Sequence, residues 1–287
     1  NSPYSAIHLA AYYNKADMIH CLAMAGVDLE ACEEGGETAL SVALTQNHIW
    51  SVSVLLSLKV NIHTVGHWAD MSSVVYVVDL GLADVLIEMV TNYGVDVNSF
   101  TGELSLASRA VDSDQRHMIR ILHEMGTNLS MKLAENHTPL SKAIIMMKTS
   151  IAVDLIACGA DVYHAYDMNN FGHMPMYDAV QNGLTEIVQA LVKAGVNINA
   201  PCATEYRQPR PVHVAVQTGQ PQLLKLIQEL GGDLNLPLQG DGRPALHLAI
   251  AEGDVYSVQI LLSLGADPAV EDAQRENAWK YALKNGN

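Results

Sequence analysis

The chain has 287 residues, 49% of them hydrophobic and 16% charged, a composition that packs into a core and does not stay disordered. Thirty-one acidic residues against sixteen lysines and arginines give a formal charge of −15. This argues against a nucleic-acid or anionic-membrane partner, since both require a basic face. The imbalance is uneven: residues 1–108 hold two lysines against twelve carboxylates, net −10, and the remainder is net −5.

Taken in order, the elements follow one cassette. A capping hydroxyl or its substitute opens a short helix, and a glycine some twenty residues on closes a second one. The opening residues are Ser5, Thr38, Ser72, Ser105, Thr138, Met174, Arg210, Pro244 and Asn277, spaced by 33, 34, 33, 33, 36, 36, 34 and 33 residues. The first unit reads Ala6-Ile7-His8-Leu9-Ala10-Ala11, then Ala25-Gly26-Val27-Asp28. The second opens with Thr38-Ala39-Leu40-Ser41-Val42-Ala43 and ends at Lys59, where glycine is expected. The third, Ser72-Ser73-Val74-Val75-Tyr76-Val77, is β-branched and of low helix propensity, so only stacking would hold it helical. The fourth, Ser105-Leu106-Ala107-Ser108-Arg109-Ala110, is the least regular. The fifth, Thr138-Pro139-Leu140-Ser141-Lys142-Ala143, ends at Gly159-Ala160-Asp161 and is the most regular. The sixth carries Met174-Pro175-Met176-Tyr177-Asp178-Ala179, the seventh Pro211-Val212-His213-Val214-Ala215, and the eighth Ala245-Leu246-His247-Leu248-Ala249 before Leu264-Gly265-Ala266-Asp267. The two steps of 36 residues lengthen the connections 161–173 and 197–210, which should project as longer fingers.

This recurrence resembles the ankyrin repeat, whose period is 33 residues with a T-P-L-H-x-A start. The resemblance covers the whole chain. It implies an all-α fold, a solenoid of helix–turn–helix units with projecting β-turn fingers, forming a single domain over residues 1–287. The repeats fall at approximately 1–33, 34–66, 67–99, 100–132, 133–168, 169–204, 205–238 and 239–271, with a partial unit at 272–287. No unit buries its apolar face alone, so nearest neighbours stabilise the stack. The sequence opens four residues before a first helix and stops after the first helix of a ninth unit, so a segment of a longer array is expected.

Little in the chain suggests chemistry. The resemblance makes His8, His213 and His247 structural, bonded to the capping hydroxyl and neighbouring backbone. Arg210 and Pro244 stand where two of those hydroxyls belong. His63 and His67 have metal-like spacing but read as solvated finger residues, with no cysteine near. Cys21, Cys32, Cys158 and Cys202 show no ligand spacing, as expected of reduced thiols in a cytoplasmic protein. The most apolar window, 71–90, is interrupted by Asp79, Asp84 and Glu88, so no membrane insertion is expected. The expectation is a protein that is not an enzyme and takes no cofactor or metal.

Binding remains. In ankyrin arrays partners commonly lie along the concave face of turn tips and exposed inner-helix ends. By position this implies Tyr12, Tyr13, Glu34, Glu37, Trp68, Asp79, Phe171, His173, Tyr206 and Arg207 as partner-binding residues. Tyrosine and tryptophan are enriched in interface hot spots, and carboxylates around them suit a basic peptide. The expected partner is therefore a protein or peptide of basic character, with the chain itself monomeric or weakly self-associating. Three alternatives stay open. The acidic N-terminal end binds, or is a solvated face. The finger aromatics Tyr163, His164, Tyr166 and Phe171 bind, or pack finger on finger. Ile145-Met146-Met147 is an exposed adaptable patch, or a buried cluster. A different functional class, a spacer or self-association segment of a larger protein, accounts for the same repeats.

Overall fold

The computed structural model describes residues 5–33, 36–62, 72–100, 105–133, 136–166, 172–204 and 208–285. Among these, every long element is a helix, and β-structure is confined to isolated bridges. The chain divides into two compact units, residues 1–128 and 129–287.

The first unit holds four helix pairs: α1 (Ala6–Tyr12) with α2 (Ala16–Met24), α3 (Ala39–Thr45) with α4 (Ile49–Ser57), α5 (Ser73–Asp79) with α6 (Ala83–Tyr93), and α7 (Leu106–Asp112) with α8 (Arg116–Glu124). Inner helices stack in series, α1 on α3, α3 on α5 and α5 on α7. The valine-rich α5 is helical despite its propensity. It buries Ser73, Val74, Val75, Val77 and Val78 between its neighbours, so tertiary burial outweighs the χ1 entropy lost by β-branched residues.

The second unit holds α9 (Pro139–Ile145) with α10 (Thr149–Ala157), α11 (Pro175–Gln181) with α12 (Thr185–Lys193), α13 (Pro211–Gln217) with α14 (Gln222–Glu229), α15 (Ala245–Glu252) with α16 (Val255–Ser263), and then α17 (Ala278–Asn285). Again the inner helices stack in order, from α9 on α11 to α15 on α17.

The helix starts obey their sequences. Thr38 and Thr138 form reciprocal capping boxes with Ser41 and Ser141. Ser105 accepts the Ser108 N–H, and Ser72 that of Val74. Pro139, Pro175 and Pro211 occupy first helical positions, where a missing donor costs nothing. At the far end of each pair the backbone turns left-handed, and Lys59 does so at φ 58°, in the place glycine holds elsewhere.

Neighbouring repeats are also stapled along the turn edge. In the first unit Asn98 Nδ2 donates to the Gly126 carbonyl at 3.0 Å, and its Oδ1 accepts from the Asn128 N–H at 2.7 Å. Asn199 repeats the device in the second unit, to the Gly231 carbonyl (3.0 Å) and the Asp233 N–H (2.8 Å). Each staple satisfies a helix-end carbonyl that has no partner inside its own helix.

Candidate functional site

In the first unit, Tyr12 ends α1 and Tyr13 follows it. Their rings meet edge to face, with centroids 5.1 Å apart. Both are exposed, Tyr13 at 63%. The next residue, Asn14, reaches across to the following repeat, where its Oδ1 accepts from Ser51 Oγ at 3.1 Å and from the Ser51 N–H at 3.3 Å. That contact brings the start of α4 alongside, where Ile49 and Trp50 are exposed, Trp50 at 75%. Tyr12 and Tyr13 form an aromatic ledge on one repeat, and Trp50 is exposed on the next. Trp50 is not among the residues singled out from the sequence. Its place in the first turn of a second helix is the signal that distinguishes it.

Glu37 is half-buried and its carbonyl accepts from His8 Nε2 at 2.9 Å. The other ring nitrogen of His8 lies 2.7 Å from Ser5 Oγ and 3.1 Å from Glu33 Oε1, so this histidine is locked into the scaffold. Asp79 is engaged as well. Arg109 contacts both its carboxylate oxygens and Ser113 Oγ donates to Oδ1 at 2.7 Å. A ligand cation reaching Asp79 must therefore compete with a guanidinium already in place. Glu34, Trp68, Phe171, Tyr206 and Arg207, with His63 and His67, lie outside the described residues.

In the second unit Ile145, Met146 and Met147 are all exposed, which settles that triplet as a surface patch. The long connections pair with one another. The Tyr166 N–H donates to the His173 carbonyl and the Thr204 N–H to the Gly172 carbonyl, both at 3.0 Å. Tyr166 is buried, and His164 Nε2 donates to the Asn136 carbonyl at 2.9 Å. Tyr163 is exposed, with its hydroxyl donating to the Gly195 carbonyl at 3.0 Å.

His173 stacks on Tyr177, with ring centroids 3.7 Å apart, and its Nδ1 lies 3.5 Å from Asp178 Oδ1. Asp178 is 5% exposed, and burial pushes its carboxyl up to about 7. Burial lowers His173 and raises Tyr177 and the thiol of Cys202. That thiol donates to the Pro209 carbonyl at 3.1 Å. With ionisation suppressed and the proton engaged, it is a packing group and not a nucleophile. Among the described residues no group of three or more His, Cys, Asp or Glu is placed to hold a metal ion. Nor is any described helix long and apolar enough to cross a membrane.

The arrangement is a protein of serially stacked helix pairs with polar staples between repeats. The family model for ankyrin repeats in three copies matches residues 104–202 and again 203–287, more than half of the chain. The chain belongs to the ankyrin-repeat family, whose members are in general protein–protein interaction modules on a typically non-catalytic fold. Among solved structures, the crystal structure of the human ASB11 ankyrin repeat domain is 17% identical, covering 97% of this chain and 92% of that one, with a TM-score of 0.42. Among curated proteins, none matches the chain by sequence.

Proposed function

We propose that this chain is a non-catalytic recognition module that binds an extended, basic or aromatic-containing segment of a partner protein. The aromatic ledge at Tyr12 and Tyr13 carries this reading. Two edge-to-face rings at a helix end, in a stretch (residues 1–108) of net charge −10, suit arginine and lysine side chains. Trp50 is also exposed on the next repeat. The other proposed partner-binding residues are Glu34, Glu37, Trp68 and Asp79 in the N-terminal part of the chain and Phe171, His173, Tyr206 and Arg207 in the C-terminal part.

A fluorescein-labelled peptide of alternating arginine and tyrosine, compared with its glutamate-for-arginine counterpart, tests the reading by fluorescence anisotropy. The arginine peptide should bind, and raised salt should weaken it. Replacing Tyr12, Tyr13 and Trp68 together by alanine should cost about tenfold in affinity. Equal binding of the two peptides, or an unchanged affinity in the triple variant, overturns the reading. Self-association with no peptide binding favours the spacer role instead.

A further inference from the structure

The residue before a helix cap and the fourth residue of the helix stand where a hydrophobic staple fixes the angle at which the chain enters. That fourth residue is Leu9, Val42, Val214 and Leu248 in repeats one, two, seven and eight. In repeat six the two positions hold His173 and Asp178, with His173 Nδ1 3.5 Å from Asp178 Oδ1. The staple there is ionisable.

The two long connections meet on this pair. His173 bridges to Tyr166 on one side and to Ala203 on the other. The Tyr166 N–H donates to the His173 carbonyl, and the Met174 N–H to the Cys202 carbonyl, both at 3.0 Å. Asp178 touches that junction through the His173 side chain and is 5% exposed. Its Oδ2 is buried with no hydrogen-bond partner among the described residues. Ionising the carboxyl there leaves a charge that only incoming water could solvate, which is why burial pushes it up to about 7.

The surrounding groups come from several elements. The connections supply Tyr166, His173 and Cys202, and α11 itself supplies Tyr177, stacked on the His173 ring. Of the helices packed on α11, α9 brings Lys142 with His137 before its cap, and α12 brings Glu186 and Lys193, both exposed. From the other side α13 brings His213, with Arg210 at its cap. Burial raises Tyr177 and Cys202 and lowers His213 to about 4, so these three stay neutral between pH 6 and 8. Burial also lowers His173, whose neutral form favours the closed arrangement, so it opposes Asp178 as pH falls.

We propose that Asp178 is a pH-sensitive latch on the pairing of the two long connections. Protonated, it lets His173 pair with Tyr166 and Ala203 over it; ionised, it draws in water and those bridges part. The latch operates whether or not the connections bind a partner.

Amide hydrogen exchange on the whole 287-residue chain reads the latch at Tyr166 and Met174, as protection factors that divide out the faster exchange of free amides at higher pH. In His173→Gln, where the opposing titration is gone, protection should fall about tenfold between pH 6 and 8. The parent should show a smaller fall. Asp178→Asn should show none, and neither should Asp178→Val, which installs the residue found at this position in repeats two and seven and keeps the test alive should the asparagine variant not fold. Constant protection in His173→Gln, or a fall as steep in both Asp178 variants, overturns the proposal. So does an equal loss at the buried α12 residue Val188, since opening is then global.

Discussion

Arg109 grips Asp79 through two nitrogens: Nε lies 3.0 Å from Oδ1, and a terminal nitrogen contacts Oδ2. Asp79 ends α5 and Arg109 lies in α7, so the fork ties two neighbouring inner helices together. Gln115 Nε2 strengthens the corner by donating to the Asp79 carbonyl at 3.0 Å. Both charged side chains are largely shielded from water. Removing the guanidinium leaves a half-buried carboxylate with one remaining side-chain donor, Ser113. Arg109→Ala should lower the urea-unfolding free energy by about 1–3 kcal/mol. Arg109→Lys should restore less than half, because an ammonium cannot match both oxygens at once. Equal losses for Arg109→Ala in the parent and in an Asp79→Ala background would show the pair to be uncoupled.

Lys59 and Met147 are among the described residues that hold a left-handed backbone without the short polar side chain of Asn or Asp that favours it. Lys59 stands at φ 58° and Met147 at φ 56°, and both are exposed. Gly81, Gly183, Gly219 and Gly253 take the Met147 position in other repeats. An L-residue there loses about 1–2 kcal/mol to the Cβ–carbonyl clash, and glycine returns part of that gain through a freer unfolded chain. Lys59→Gly and Met147→Gly should each raise stability by about 0.5–1 kcal/mol, read as a shift in the urea midpoint. A destabilisation at either site would mean the side chain contributes more than the strain removes.

Helix starts and stops were legible because they are local. A hydroxyl followed by proline, and a glycine past the last turn, act within one or two turns of chain. Surface and core were less legible where position overrides side-chain type. Trp50 sits in an apolar run yet points to water, because it falls in the first turn of an outer helix. Tyr166 is on a long connection yet is buried, because that connection pairs with the next through His173. Asp178 was the hardest to see. It occupies a position that is Leu9, Val42, Val214 or Leu248 in other repeats, and nothing in its own sequence neighbourhood marks a buried carboxyl.

That carboxyl makes a pH prediction. Its folded value, about 7, lies above its ordinary 3.8. The fold therefore favours the protonated form, and this contribution is complete below pH 3.8 and lost as pH rises through 7. His213 opposes it: burial, then the charge of Arg210, lowers it from 6.5 to about 4, so its contribution is lost as pH falls through that interval. The two slopes overlap and partly cancel in the parent. Asp178→Asn should remove one of them, leaving stability that rises between about pH 4 and 6.5 and exceeds the parent above pH 7 by about 2–4 kcal/mol. Urea titrations across this range test it, and an unchanged pH slope in the variant would rule out Asp178 as the titrating group.

The three scaffold histidines differ in a way their caps explain. His8 has Ser5 Oγ at 2.7 Å from Nδ1, and His213 Nδ1 accepts the Arg210 N–H at 3.3 Å. His247 donates from Nε2 to the Glu276 carbonyl at 2.8 Å, yet its Nδ1 is buried without a hydrogen-bond partner. The residue three before it is Pro244, which has neither an N–H nor a hydroxyl to offer. A buried acceptor left in this state costs about 1–3 kcal/mol. Pro244 is extended, at φ −66° and ψ 164°, a conformation threonine adopts readily at a helix cap. Pro244→Thr should place a hydroxyl where Ser5 holds one in the first repeat, raising stability by about 1 kcal/mol. The gain has a local signature, because the new donor should shift the His247 Nδ1 resonance in ¹⁵N spectra. Pro244→Ala, which adds an N–H without the hydroxyl, separates the two donors. If threonine stabilises no more than alanine, the backbone N–H is enough and the hydroxyl is not the missing partner.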